Sequence, residues 1–168
     1  GWITGLKVSR INEFKVSEMF YSGIADEAGS DIATQVKAHL ELGWKYIELR
    51  TVDGVNVTEI SEDKFASIYK VIKDTGLAVS CFASQIGNWA KPVTGDFQKD
   101  VDELGRAIPR MKKFGTKFIR IMSWPNDARK PLSQKQWHDE VLVRLRELAK
   151  IAYNENIVLI HANCSGYG

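Results

Sequence analysis

Nine side chains in this sequence have the type and position to meet a small polar ligand. Glu48, Arg50 and Arg120 stand near the C-terminal ends of short apolar runs. Such ends are where α/β proteins place their chemistry. An arginine there can grip a phosphate or carboxylate through two parallel hydrogen bonds. Equally, Glu48 and an arginine can neutralise each other as a buried pair with no ligand at all. Asn88, Trp89 and Lys91 share one long loop, residues 84–92, which makes that loop the best candidate for substrate contact. Trp89 and Trp124 can stack on a sugar ring or simply cover the core beneath long loops. His161 can hydrogen-bond a ligand or move a proton, and Asn163 follows it two residues later.

Other reactive types have blander readings. Asp26 and Glu27 either line a pocket mouth or cap and solvate their loop. Cys81 and Cys164 have no neighbouring base in sequence, so a nucleophilic role is not expected. His39 and His138 fall on helices and are not expected to be ligands.

These residues are positioned by a repeating joint in which a helix ends, a glycine stops it, and a buried strand begins. Gly43 precedes residues 44–50, Gly76 precedes 77–83, and Gly115 precedes 117–123. Asn156 takes the glycine's place before residues 157–161. A residue that tolerates the left-handed conformation is what a helix C-cap requires. A first strand is expected over residues 20–26, with a loop at 27–30 and Ser30 or Asp31 capping a helix that faces inward with Ile32, Val36, His39 and Leu40. Residues 54–58 read as a loop. Ser61 begins a second helix with Phe65, Ile68, Tyr69 and Ile72 inward. A third runs over about 97–114, where Pro109 should kink or break it. A fourth covers about 133–153. Strands alternating with amphipathic helices mean βαβ units and a parallel sheet.

The chain has 168 residues, 44% hydrophobic and 26% charged, with a formal net charge of +2. That is ordinary for a globular protein and too weakly basic to argue for nucleic acid or an anionic membrane. No apolar run is long enough to span a bilayer. Two cysteines without zinc-site spacing suit a reducing, cytoplasmic setting. Residues 1–19 do not fit the repeat and read as an arm or added strand, leaving residues 20–168 as the barrel-like domain.

The runs GIADEAG (23–29), GWKYIELRTVDGVNV (43–57), VSCFASQIGNWAK (79–91), GTKFIRIMSWPN (115–126) and NCSGYG (163–168) resemble the sugar phosphate isomerase/epimerase family of xylose-isomerase-like TIM barrels. The resemblance covers residues 21–168 and implies the first five βα units of such a barrel. It also implies a divalent metal, Mn²⁺, Mg²⁺, Co²⁺ or Zn²⁺, that polarises the oxygens of a sugar. The family's fifth strand ends in Glu-Asn, and here Asn163 matches while Ala162 stands in place of the glutamate. A methyl group cannot ligate a metal. The resemblance therefore implies no metal in this chain and a truncated or engineered barrel fragment, silent alone. The same superfamily includes abasic-site endonucleases, whose multi-metal sites need more histidines and carboxylates than this chain shows.

The expected fold is α/β, a partial (βα) TIM-type barrel of about five parallel strands alternating with four helices, plus the N-terminal arm. Self-association through open sheet edges and a sugar or sugar phosphate ligand are expected, with no nucleic acid or membrane partner. Two other readings stay open: an isomerase/epimerase completed by oligomerisation, and a non-catalytic scaffold.

Overall fold

The computed structural model describes residues 19–163. The expected arm and Cys164 lie outside these residues. Five strands, β1 (Ser22–Ile24), β2 (Tyr46–Leu49), β5 (Ala78–Ala83), β6 (Phe118–Ile121) and β7 (Val158–His161), form one parallel sheet in the order β1-β2-β5-β6-β7. Each strand lies beside the previous one in the sequence, as in a barrel wound in one direction. Four helices connect them: α1 (Ile32–Glu41), α2 (Glu62–Thr75), α3 (Gln98–Phe114) and α4 (Gln134–Asn154).

Period-two alternation decides which face the helices cover. Ile47, Leu49, Val79, Phe82, Ile119 and Ile121 are buried with Val36, Phe65, Ile68, Leu104, Met111 and Leu148 from the helices in one core. Fully burying side chains of this size stabilises by about 1.5–3 kcal/mol each. The opposite, concave face carries Tyr46, Glu48, Phe118, Arg120, Val158 and Ile160, partly or well exposed. In a closed barrel that face would be the interior.

The helix starts follow from their caps. Asp31, rather than Ser30, caps α1 by accepting from Thr34 N at 2.9 Å. Ser133 makes a reciprocal capping box with Gln136. Gly76 and Gly115 end α2 and α3 in the left-handed conformation, and Asn156 adopts it before β7 with φ 57°.

Four local expectations need correction. The first strand is only three residues, because residues 25–27 turn into a 3-10 helix. Leu40 is exposed, and Gln35 is buried instead, its amide donating to the carbonyls of Gly29 and Thr51. Residues 54–58 are not all loop: β3 (Thr51–Val52) pairs with β4 (Val55–Asn56) around Asp53-Gly54. Both turn residues have positive φ, 51° and 79°, the geometry an Asp-Gly hairpin turn favours. Finally, α3 runs unbroken through Pro109. The carbonyl that proline leaves without its usual donor belongs to Gly105, which carries no side chain to add to the crowding.

Candidate functional site

The C-terminal ends of β1, β2, β5 and β6 bring several of the expected residues to one end of the concave face. A bulge sets their register. The β2–β5 pairing shifts between Ile47 and Glu48, which leaves Ser80 extra and places Cys81 opposite Glu48. Ser80 then bonds Ser22 across the face at 2.6 Å. Bulges commonly re-aim side chains beside active sites.

Arg50 does not pair with Glu48. Its guanidinium reaches β1's 3-10 turn, where Nε lies 2.9 Å from Asp26 Oδ1 and Nη2 2.5 Å from Glu27 Oε1. Thr51 Oγ1 also donates to Asp26. Asp26 and Glu27 are thus not mere loop solvators; they hold the end of β2 to the end of β1. These contacts raise the Arg50 pKa, led by the Asp26 hydrogen bond and opposed by burial.

Glu48 is left half-buried. Among the described residues it makes no ion pair within 4.0 Å. Burial raises its carboxyl pKa, with Asp26 adding to the rise, while Arg120 and Arg50 pull it back. Arg120, two strands away, is half-buried and points its guanidinium at the same face. Its Nε is enclosed and has no hydrogen-bond partner. Between the two lie the small side chains Cys81 and Ala83, in register with Glu48 and Arg120 respectively. Burial pushes the Cys81 thiol up to about 12, with the Glu48 charge adding to the effect. It is therefore no nucleophile at neutral pH.

The third loop is built differently from the substrate-contacting segment expected. Lys91 turns inward, 2.6 Å from Asp100 Oδ1 and 3.0 Å from Glu103 Oε2, both carboxylates on α3 and nearly inaccessible. Burial alone would lower the Lys91 ammonium, but the two acids outweigh it and raise its pKa. Asp100 also accepts from Trp124 Nε1 at 2.6 Å, and Glu103 from Gln85 N at 2.7 Å and Thr58 Oγ1 at 2.9 Å. Trp124 is buried under this network and covers the core, leaving no face for a sugar. Asn88 turns back to accept from Ala90 N at 3.0 Å. Trp89 alone of this group is free at the surface, 70% exposed.

Asp100 and Glu103 are not among the residues expected from the sequence. Their signal is the i, i+3 spacing that puts them on one face of α3, on the turn before Leu104, where two acids interrupt an otherwise apolar stripe.

His161 faces the helix side of the sheet, as alternation implies, and its Nε2 bonds Ser123 Oγ. Ala162 follows, its N held by Ile121 O at 3.0 Å, and Asn163 is exposed. His39 is buried on α1, its Nδ1 2.8 Å from Gln35 O. His138 lies on exposed α4 surface. Among the described residues no three His, Cys, Asp or Glu side chains converge as a metal-binding group. With a methyl at Ala162 and only a carboxamide beyond it, the end of β7 as described does not fit a divalent ion.

A family profile described as xylose isomerase-like TIM barrel matches residues 36–168. The chain belongs to the xylose isomerase-like TIM barrel family. Solved structures show the same fold at low identity. A xylose isomerase-like TIM barrel protein from Mycobacterium smegmatis in complex with magnesium is 18% identical with a TM-score of 0.59, over 82% of this chain and 50% of that one. The 3-keto-D-glucoside 4-epimerase of E. coli is 19% identical with a TM-score of 0.63, over 89% and 58%. An AP endonuclease, family 2, from Brucella melitensis is 15% identical with a TM-score of 0.62, over 85% and 55%. The chain spans about half the length of these structures. No curated protein sequence matches it. No helix of the described residues is long and apolar enough to cross a membrane.

Proposed function

We propose that this chain is one wall of a sugar isomerase/epimerase barrel, carrying substrate-binding groups but not the catalytic metal, and silent toward turnover alone. The observation that carries this reading is the pair formed by Glu48 and Arg120 at the C-terminal ends of the strands. Glu48 has no ion-pair partner among the described residues, the enclosed Nε of Arg120 has no hydrogen-bond partner, and both residues stand on the concave face of the sheet. That is the end of the strands at which barrels of this type do their chemistry. The epimerase among the structural neighbours supports a sugar as the ligand. The endonuclease neighbour favours another substrate, but a net charge of +2 gives no electrostatic footprint for a phosphate backbone.

Turnover needs a group that polarises the sugar's oxygens and one that moves a proton. The described residues offer a proton acceptor in Glu48 but no ion site at the end of β7, so further βα units must supply the rest. The test is to equilibrate the chain with Mn²⁺, dialyse it, and measure bound metal and ketose epimerisation together. Neither is expected, and restoring Ala162→Glu alone should change neither. Metal retained at one ion per chain with turnover would overturn the reading in favour of an enzyme completed by its own assembly.

A further inference from the structure

We propose that two copies of this chain, five strands each, close one ten-stranded parallel barrel. In it β7 of each copy adds beside β1 of the other, and the N-terminal halves of both concave faces are buried in the lumen. The inference goes beyond the reading of a barrel wall by committing to what covers the wall's concave face.

Three observations carry it. The first is side-chain size. Phe20, Tyr46 and Phe118 line the N-terminal half of the concave face together with Ile160, and Val158 stands on the same face. The rings of Phe20 and Tyr46 have centroids 4.3 Å apart. Eight strands leave an interior just wide enough for side chains to fill, and Val, Ile and Leu dominate it. Three rings from five strands are bulky for such a lumen and press against tight curvature. Diameter grows with strand number, so ten strands give room to the rings of both copies. The second is the surface left open. Phe20, Phe118, Val158 and Ile160 are 42–57% exposed, roughly 300–400 Å² per copy at about 150–250 Å² for a large side chain. A stable interface takes about 800 Å² from each partner. The apolar patch supplies nearly half of that, and the backbone edges of β1 and β7 bring the rest. The third is direction. All four pairings of the described five-stranded sheet are parallel, with β1 and β7 at its edges. Setting β7 beside β1 of a second copy continues that pattern. With a two-fold axis along the barrel, the addition closes after two chains. Pairing like edges about a two-fold would make them antiparallel and leave the other edges open.

The test uses the full chain with Cys81→Ala and Cys164→Ser, carrying either Ser22→Cys on β1 or Ile160→Cys on β7. A short bismaleimide is added to each variant alone and to their mixture, and covalent dimers are read on a denaturing gel. The mixture should give linked dimers and each variant alone only background, because like positions face each other across the lumen. Light scattering should show the mass of two chains at high concentration. Phe118→Asp should raise the dissociation constant by about thirtyfold or more, the scale of a hot-spot loss. Tyr153→Asp, on the exposed surface of α4, should leave it unchanged. Linked dimers from either variant alone would overturn the inference in favour of antiparallel edges. Mass growing past two chains would overturn it in favour of open head-to-tail addition, and a single-chain mass throughout would overturn it outright. Circular dichroism confirms that the variants keep the fold. None of these outcomes touches the sugar-wall reading, whose own test reads metal and turnover.

Discussion

Glu48 ionises at a cost where it stands. Burial outweighs the attraction of Arg120 and Arg50, so its folded pKa lies above the ordinary 4.5. For an acid with a raised folded pKa, the stabilising contribution is present below the ordinary value and is lost as pH rises through the folded one. Glu48→Gln should therefore be more stable than the unaltered chain at pH 7, and the two should converge as pH falls below 4.5. Urea midpoints across that range check it; a difference that is constant with pH would show that the carboxylate costs nothing here. At this scale the sequence was only partly legible. Types and strand positions singled out Glu48, Arg50 and Arg120, but not their partners. Arg50 was free to pair with Glu48 on its own strand or with acids across the sheet, and only the 3-10 turn after β1 brings Asp26 and Glu27 within reach. Trp124 shows the same limit. A loop tryptophan reads alike whether it meets a ligand or a core, and its burial is decided by Asp100, 24 residues earlier.

At the scale of elements, the polar network around Lys91 fastens the third loop to α3 and to the end of β6. Met122 N donates to Ile86 O at 2.9 Å and Trp124 N to Gly87 O at 2.7 Å, while Lys91 sits between two buried carboxylates. Gly87 is required here: its φ is +66°, and a Cβ would lie 2.5 Å from Met122 O. Replacing Lys91 by methionine keeps the length but strands Asp100 and Glu103 without a counter-charge. A loss of about 2–3 kcal/mol is expected, below that of a fully enclosed pair because the lysine is part-exposed. Chemical denaturation measures it, and a change under 0.5 kcal/mol, the scale of an ordinary surface substitution, would mean the network does not hold the loop. The helix–glycine–strand joints made the five strands and four helices readable to within a few residues, since caps and period-two alternation are local. The β3–β4 hairpin was equally local, signalled by Asp53-Gly54, and was passed over because its strands are only two residues long.

At the scale of the molecule, the sheet has a helix-covered face and one that no described element covers. Among the described residues, its edge strands β1 and β7 each have one unpaired side, a template for further strands. Phe20, Tyr21, Phe118, Val158 and Ile160 remain well exposed. A cavity of about 430 Å³ opens among Phe20, Tyr46, Cys81, Phe118 and Ile160 at the N-terminal end of the same face. Barrel winding was legible from the order of strands and helices. What covers the concave face was not, because that depends on groups beyond the repeat.

Solution mass by light scattering after size exclusion, over a concentration series, tests the central claim of an unfinished barrel wall most directly. The account predicts mass above that of one chain, rising with concentration as edges and concave faces meet. A strict single-chain mass at every concentration would contradict it, and would mean that the chain seals its own sheet.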